Sequence, residues 1–126
     1  MRQYSSFPQI YELVKLIPEG KVASYGMIAS LVSGATPRIV GFAMAGVGAQ
    51  DVPWHRVINS AGKISEREGA DRQRQRLEEE GVAFSKAGKV NWKQFGWAGP
   101  EEDWAEKSGL EFFEFLEITS RWPVHS

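Results

Sequence analysis

Apolar side chains recur every three or four residues near the start of the chain, which is typical of amphipathic helices. The first stripe follows a Ser-x-x-Gln capping box over residues 6–9 and ends before Pro18; its members are Ile10, Leu13, Val14 and Ile17. A second stripe covers residues 25–32, with Ser24 as its candidate N-cap. Two helices are therefore predicted before residue 33.

A third helix is predicted from Thr36 to Ala45, because Thr is a favoured N-cap and Pro37 suits the first helical position. The tight Ser-Gly-Ala turn over residues 33–35 joins it to the second helix. Two short helices joined in this way predict a helix-turn-helix, with the third helix as the recognition helix.

The recognition helix carries few side chains that can identify bases. Arg38 is its one long cation, and three of its residues are small: Gly41, Ala43 and Ala45. Reading the major groove takes several Arg, Asn or Gln side chains, whereas a thin helix face suits a narrow groove that is recognised by its shape. Small residues also permit tight packing inside the protein, and for Ala43 both explanations stay open.

Short apolar runs separated by Gly-containing turns follow the helices and predict two β-hairpins. The first pairs residues 57–58 with 63–65, and the second pairs residues 82–84 with 90–92. A charged helix is predicted between them, from Asp71 to Glu80. The predicted fold is mainly α with short β-hairpins, a winged helix-turn-helix-like DNA-binding domain.

The charges of the 71–80 helix run against the helix dipole. Three arginines come first and three glutamates last: Arg72, Arg74, Arg76, Glu78, Glu79 and Glu80. A solvated charged face is the commoner explanation of such a pattern. The alternative is a phosphate near the start of the helix and a fixed carboxylate near its end.

Composition indicates one small folded domain, since 42% of the 126 residues are hydrophobic and 25% are charged. The net charge of −1 hides an asymmetry: residues 1–97 carry 13 Lys/Arg and 9 Asp/Glu, whereas residues 98–126 carry 2 and 7. A mildly basic body is compatible with a phosphate-binding surface. No membrane span or signal peptide is evident, so we expect an intracellular protein.

Residues 98–126 form an acidic and aromatic extension that follows a Gly-Pro hinge. Glu111, Glu114 and Glu117 recur every third residue among apolar side chains, which predicts one added helix with an acidic stripe and a broad apolar face. The apolar face must be covered. Docking on the protein's own core is the simpler explanation, and the alternative is that the extension recruits a partner or mimics phosphate against the basic face of the body.

The run Pro53-Trp54-His55-Arg56-Val57 follows a Gly-rich loop, Gly46-Val47-Gly48-Ala49, and places a large indole at a loop-to-strand junction. Residues 7–97 resemble the C-terminal domain of the O6-alkylguanine-DNA alkyltransferases, whose signature is Pro-Cys-His-Arg-Val. Trp54 stands at the position of the alkyl-accepting Cys, and this substitution resembles the alkyltransferase-like proteins. The chemistry agrees, because dealkylation needs a thiolate and the chain contains no Cys.

The resemblance implies a lesion pocket and a DNA-binding surface. Trp54 would form the floor of the pocket, Tyr25 would lie beside the phosphate of the flipped nucleotide, and Arg67 would lie over the bound base. Val57 is assigned to the same pocket. Arg38 resembles the arginine that replaces the extruded base in the stack, and the other implied DNA-binding residues are Ser24, Thr36, Pro37, Gly41 and Ala45.

His55 and Glu80 occupy the positions that activate the Cys in true transferases, and here we expect them to form a structural hydrogen-bonded pair. One departure from the transferases is Gly46-Val47-Gly48, which stands where they carry an Asn-containing loop. No cofactor or metal is expected, since His55 and His125 are the only histidines and Cys is absent.

The resemblance implies a protein that is not an enzyme. It would bind O6-alkylguanine in double-stranded DNA as a monomer, flip the nucleotide and flag it for nucleotide excision repair proteins. The compartment would be the cytoplasm (nucleoid) or the nucleus, without membrane contact. Two alternatives are a helix-turn-helix transcription regulator and a base-flipping hydrolase that uses His55 and Glu80.

Overall fold

The computed structural model describes residues 6–47 and 51–125. Over these two ranges the chain has the following helices and strands: α1 Phe7–Val14, β1 Ala23–Ser24, α2 Tyr25–Ser30, α3 Pro37–Ala45, β2 Val57–Ile58, α4 Ala70–Glu79, α5 Trp92–Phe95, α6 Glu102–Lys107 and α7 Phe112–Ser120. Two 3-10 turns, Trp54–Arg56 and Pro123–His125, complete the order. Within the described ranges, no helix combines the length and the apolarity that crossing a bilayer requires. The predominance of helices in this element order confirms the predicted mainly α fold.

Local caps set the starts of α2 and α3. The Ser24 hydroxyl accepts a hydrogen bond from the Met27 amide at 3.0 Å, and the Thr36 hydroxyl accepts one from the Ile39 amide at 3.1 Å. Both predicted N-caps of the helix-turn-helix are confirmed, although α2 ends at Ser30, two residues early.

The capping box predicted for α1 is wrong. Ser6 has helical backbone angles, φ −82° and ψ −9°, and its side chain makes no cap hydrogen bond. An N-cap hydroxyl can reach the amide three residues on only from an extended backbone, so Ser6 cannot serve. The helix also ends at Val14, well before Pro18.

The sheet is parallel, and the first predicted hairpin is wrong. β2 pairs with β1 in the register Ala23↔Val57 and Ser24↔Ile58, while Asn59 forms a turn in which its amide donates to the Lys63 carbonyl at 3.0 Å. The partner of β2 comes from far earlier in the chain, and a local alternation pattern carries no information about it.

The second predicted hairpin is reduced to one antiparallel bridge between Phe84 and Val90. Asn91 then accepts hydrogen bonds from the amides of Lys93 and Gln94 and begins α5, so Trp92 is helical rather than extended. The predicted wing is therefore a set of tight turns instead of paired strands.

Two apolar clusters meet at the sheet. The larger is built from α1, α2 and α3 and includes Ala23 and Val57, while the smaller lies under α4 and includes Val22 and Ile58. The sheet thus holds the helix-turn-helix and α4 at a fixed spacing. The 3-10 turn that carries Trp54 lies directly before β2, between these two halves.

The extension contributes two helices rather than the one predicted, because Gly109 adopts φ +78° after α6. Trp122 is buried with its ring centroid 6.0 Å from that of Trp97, and its indole N–H donates to the Ser30 hydroxyl at 3.2 Å. Phe115 packs on Trp104, with the two ring centroids 6.3 Å apart. The segment is therefore docked on the helical body.

Candidate nucleic-acid interface

Trp54 is half-buried and borders open space. Its backbone amide donates to the Val52 carbonyl at 2.7 Å, which fixes the turn, and its ring meets the His55 ring edge-on at 6.1 Å. The Arg76 guanidinium lies over the indole, 5.5 Å from the ring centroid. Such a cation–π contact restrains the orientation of the ring.

A cleft of about 340 Å³ opens beside Trp54, between the end of α3 and the start of α4. Besides Trp54 it is lined by Met44, Ala45, Val47, Arg67, Glu68, Gly69 and Arg72. Indole and thioether surfaces suit the face of a planar aromatic ligand, and the guanidinium groups can stack on it or bind a phosphate. The arrangement fits a nucleotide base with its phosphate.

Gln73 connects the cleft to the turn that carries Trp54. Its side-chain amide donates to the carbonyls of His55 at 3.2 Å and Val57 at 2.9 Å, and its side-chain oxygen accepts a hydrogen bond from Arg67 at 2.8 Å. Gln73 is 1% exposed. The sequence interpretation missed this residue, although its place four residues before the buried Leu77 marks it as a polar group on a buried helix face.

We expect Gln73→Leu to lower the free energy of unfolding by about 2 kcal/mol, because two buried carbonyls would lose their donors. The substitution should also remove the hydrogen bond that holds Arg67 and lower the affinity for any ligand that Arg67 contacts. Urea unfolding followed by tryptophan fluorescence measures the first effect. Gln75→Leu, at an exposed position of the same helix, is the matched control; equal losses for the two variants would contradict the role of Gln73.

Glu80 is the centre of a polar network behind the cleft. It accepts hydrogen bonds from His55 Nε2 at 2.8 Å, from Arg56 at 2.7 and 3.0 Å, and from the Gly20 amide at 3.1 Å. Arg56 also donates to the Ile17 carbonyl at 2.8 Å. The structure therefore brings His55 and Glu80 together, and it adds Arg56, which the sequence interpretation did not assign to the site.

Burial raises the pKa of Glu80, but the hydrogen bonds from Arg56, His55 and Gly20 outweigh it and lower the pKa to about 2. For His55, burial lowers the pKa, and this effect is larger than the increase caused by the hydrogen bond to Glu80. His55 is thus neutral near pH 7 and donates from Nε2. A carboxylate with both oxygens occupied and so low a pKa is a poor general base, so the network is suited to fixing the turn.

The outer face of α3 carries one arginine and positions with little or no side chain. Arg38 is exposed, with its guanidinium 5.5 Å from the centroid of the Phe42 ring. A Cβ added at Gly41 would meet no atom within 4 Å, so packing inside the described protein does not require glycine there. Ala43 differs, because it is fully buried and its carbonyl accepts a hydrogen bond from Tyr11.

Four other assigned residues lie in different settings. Thr36 and Pro37 are exposed at the start of α3, while Ser24 is 5% exposed and its hydroxyl is used as the α2 cap. Tyr25 is half-buried against the main core and does not line the Trp54 cleft.

The structure does not bring Val57 to the cleft. Val57 is 1% exposed, packs in the larger apolar cluster and is not among the described residues that line the Trp54 cleft. The Gly-rich loop is described only in part, because Gly48 and Ala49 lie outside the described residues.

A helix-turn-helix followed by a cleft that is lined by a half-buried tryptophan defines a DNA-binding domain of the alkyltransferase type. Residues 6–82 match the family model described as the DNA-binding domain of 6-O-methylguanine DNA methyltransferase. Alkyltransferase-like protein 1 of Schizosaccharomyces pombe is 42% identical over 106 residues, which cover 77% of this chain and 98% of the relative. The chain therefore belongs to the 6-O-methylguanine DNA methyltransferase DNA-binding-domain family, as an alkyltransferase-like protein.

Further comparisons agree with that assignment. The DNA base-flipping protein of Escherichia coli is 38% identical over 102 residues, covering 77% of this chain and 78% of that protein. A crystal structure of the Schizosaccharomyces pombe protein with damaged DNA containing O6-carboxymethylguanine superposes with a TM-score of 0.68 at 43% identity, over 77% of this chain and 98% of that one. The 6-O-methylguanine methyltransferase of Mycobacterium tuberculosis gives 0.52 at 35% identity, over 59% of this chain and 47% of that one.

Proposed function

We propose that this protein binds double-stranded DNA containing O6-alkylguanine, rotates the altered nucleotide into the Trp54 cleft and leaves the alkyl group in place. One observation carries the proposal. The half-buried indole of Trp54, which stands at the sequence position of the transferase cysteine, lines a cleft beside the recognition helix. A base whose damaged edge lies inside the duplex must leave the stack before a protein can inspect it.

Each step of base flipping has a candidate residue. The exposed Arg38 on α3 enters the stack in place of the extruded base, because a planar guanidinium can both stack and donate hydrogen bonds. Trp54 stacks on the purine and offers an apolar surface to the alkyl group. Arg67, held by Gln73, lies over the base, and Tyr25 at the start of α2 contacts the phosphate.

The chain offers no thiolate to accept the alkyl group, since it contains no Cys. Hydrolysis by His55 and Glu80 is disfavoured, because Glu80 has both oxygens engaged and its pKa is about 2. A transcription regulator is disfavoured because Arg38 is the one side chain between Thr36 and Ala45 that is suited to reading base edges. We therefore assign the protein to lesion recognition, upstream of nucleotide excision repair, in the compartment that holds the DNA.

The deciding experiment compares two duplexes that differ by one O6-methylguanine. Fluorescence anisotropy should give a tighter Kd for the damaged duplex, and mass spectrometry after incubation should find the methylated base intact. Equal affinities would overturn lesion recognition. Loss of the methyl group or of the base would indicate an enzyme, and preference for one undamaged sequence would indicate a regulator.

We expect Gly41→Leu to weaken binding to both duplexes by roughly ten-fold or more without lowering the free energy of unfolding. Leucine is the better helix former, and a Cβ at this position meets no protein atom within 4 Å. The loss would come from separation of α3 from the groove. Anisotropy and thermal unfolding test the two halves of this prediction, and unchanged DNA affinity would mean that α3 does not approach DNA closely at this point.

We expect Arg38→Ala to weaken binding to the damaged duplex more than to its unmodified twin. Filling the gap left by a flipped base contributes only when a base has been flipped, whereas a phosphate contact contributes to both. Arg74→Ala, at an exposed position of α4, is a control for loss of one positive charge. Equal losses on both duplexes would identify Arg38 as a phosphate contact only.

A further inference from the structure

Helix α7 exposes an apolar ridge on the side that does not pack on the core. The ridge consists of Phe112, Phe113 and Leu116, which are 41%, 72% and 40% exposed. Phe115 and Thr119 form the buried side of the same helix. The docking of the extension therefore leaves three large apolar side chains in contact with solvent, close together on one helix.

The ridge is surrounded by acidic groups. Glu114 and Glu117 are exposed on α7, and a cleft of about 380 Å³ between α6 and α7 is lined by Glu102, Asp103, Ala105, Glu106, Leu110 and Phe112. None of the described residues that line this cleft is basic. The two basic residues of the extension, Lys107 and Arg121, are each paired with a carboxylate of their own helix, at 3.7 and 3.1 Å.

The negative charge of the extension disfavours DNA as the occupant of the ridge. The extension carries 7 Asp/Glu against 2 Lys/Arg, and phosphates would be repelled by it. Its anchoring residue, Trp122, contacts Ser30 and Trp97, neither of which lines the Trp54 cleft. The described residues that line the Trp54 cleft also do not include Phe112, Phe113 or Leu116, so the ridge and the cleft are separate surfaces.

We propose that the α7 ridge and the acidic cleft beside it form a docking surface for a basic amphipathic helix of another protein. Apolar side chains of that helix, spaced three or four residues apart, pack on the ridge, while its Lys and Arg residues pair with the carboxylates at the rim. A second copy of α7 is a poor occupant, because two such helices would place acidic stripes against each other.

Only the use of this surface rests on the proposed function. A partner held on α7 would be brought to the lesion that the Trp54 cleft has marked. The docking itself is a property of the free protein, and it can be measured without DNA.

The test uses the full chain and a fluorescein-labelled synthetic Leu/Lys peptide about five helical turns long, with Leu at helical spacing. One control peptide has the same composition with scrambled Leu positions, and another has Glu in place of Lys. Anisotropy should show saturable binding of the first peptide only. Equal binding of the scrambled or the acidic peptide, or no binding of any, would overturn the proposal.

Variants of the protein test whether the peptide binds on the α7 ridge. Phe113→Ser combined with Leu116→Ser should weaken peptide binding roughly ten-fold or more, and Phe113→Ser alone should weaken it less. Phe42→Ser removes an apolar side chain that is 46% exposed on α3 and should leave the affinity for the peptide unchanged in this DNA-free assay. Glu106→Gln with Glu114→Gln should weaken binding and reduce its dependence on salt.

Three results would contradict the assignment of the surface. Unchanged peptide affinity of the double Ser variant would place the binding elsewhere. A concentration-dependent dimer of the wild-type chain that the double Ser variant loses would make a second copy the occupant. A weaker affinity of that variant for undamaged duplex, with unchanged thermal unfolding, would mean that α7 contacts DNA.

Discussion

Trp54→Ala should reduce affinity for an O6-methylguanine duplex by about 10- to 100-fold, while binding to the unmodified duplex changes little. Stacking of one base on an aromatic side chain is worth roughly 1–3 kcal/mol, and the indole contributes this only to a base that has entered the cleft. The half-buried ring already lies at the cleft edge, with Arg76 over it. The measurement is a pair of anisotropy titrations under identical salt conditions.

The matched variant is Trp54→Phe, which keeps an aromatic face of smaller area and should retain part of the preference for the damaged duplex. Thermal unfolding of both variants separates ligand effects from folding effects. Equal loss of affinity for the two duplexes after Trp54→Ala, with a normal unfolding midpoint, would contradict a stacking role. In that case the indole would only shape the surface that meets the DNA backbone.

Glu80→Gln should lower the free energy of unfolding by about 3 kcal/mol. The change leaves the Arg56 guanidinium, whose side chain is 16% exposed, without its counter-charge, and removal of one partner of a buried pair is costly. Urea unfolding at neutral pH measures the loss. Glu79→Gln, at the exposed neighbouring position, is the control and should change stability by a few tenths of a kcal/mol at most.

The same network predicts the acid sensitivity of the wild-type protein. The folded pKa of Glu80, about 2, lies below the ordinary value of 4.5, so the unfolded chain takes up a proton first as pH falls. Stability from Glu80 is therefore complete above pH 4.5 and is lost as pH falls toward 2, by about 3 kcal/mol in total. His55 acts in the same direction below its ordinary pKa of 6.5, because its pKa is also lowered.

The Glu80→Gln variant provides the internal check on this assignment. Its unfolding free energy should show a much smaller decrease between pH 4.5 and 2 than that of the wild-type protein. An equally steep decrease in both proteins would assign the acid sensitivity to other carboxylates. The comparison uses urea titrations at several pH values with the ionic strength held constant.

Features that depend on neighbouring residues were predictable from the sequence. The caps Ser24 and Thr36 act over three residues, and the helix-turn-helix followed from them. A fixed carboxylate near the end of α4 was the less favoured explanation of the charge order, and Glu80, which is held by His55, Arg56 and Gly20, matches it. In these cases the stabilising contacts are local, or the charge pattern departs from the helix dipole in a visible way.

Features that depend on distant pairing were not predictable from local patterns, and the expected contact between His55 and Glu80 came from the family resemblance instead. The parallel partner of β2 lies 34 residues earlier in register, Ala23 opposite Val57, and a run of two apolar residues is equally compatible with a hairpin. Gln73 and Arg76 gain their roles only because α4 packs beside the Trp54 turn. The extension was predicted as one helix because its apolar pattern begins at Leu110, whereas α6, with the sequence EDWAEK, has only two apolar side chains.

The parallel pairing of β1 with β2 gives the intervening chain a property of its own. Residues 25–56 leave the sheet at Ser24 and return to it at Val57, so the two ends of this excursion lie side by side in adjacent strands. The excursion contains both α3 and Trp54. The predicted recognition helix and the indole are therefore carried by one continuous segment, and adjacent strands fix both of its ends.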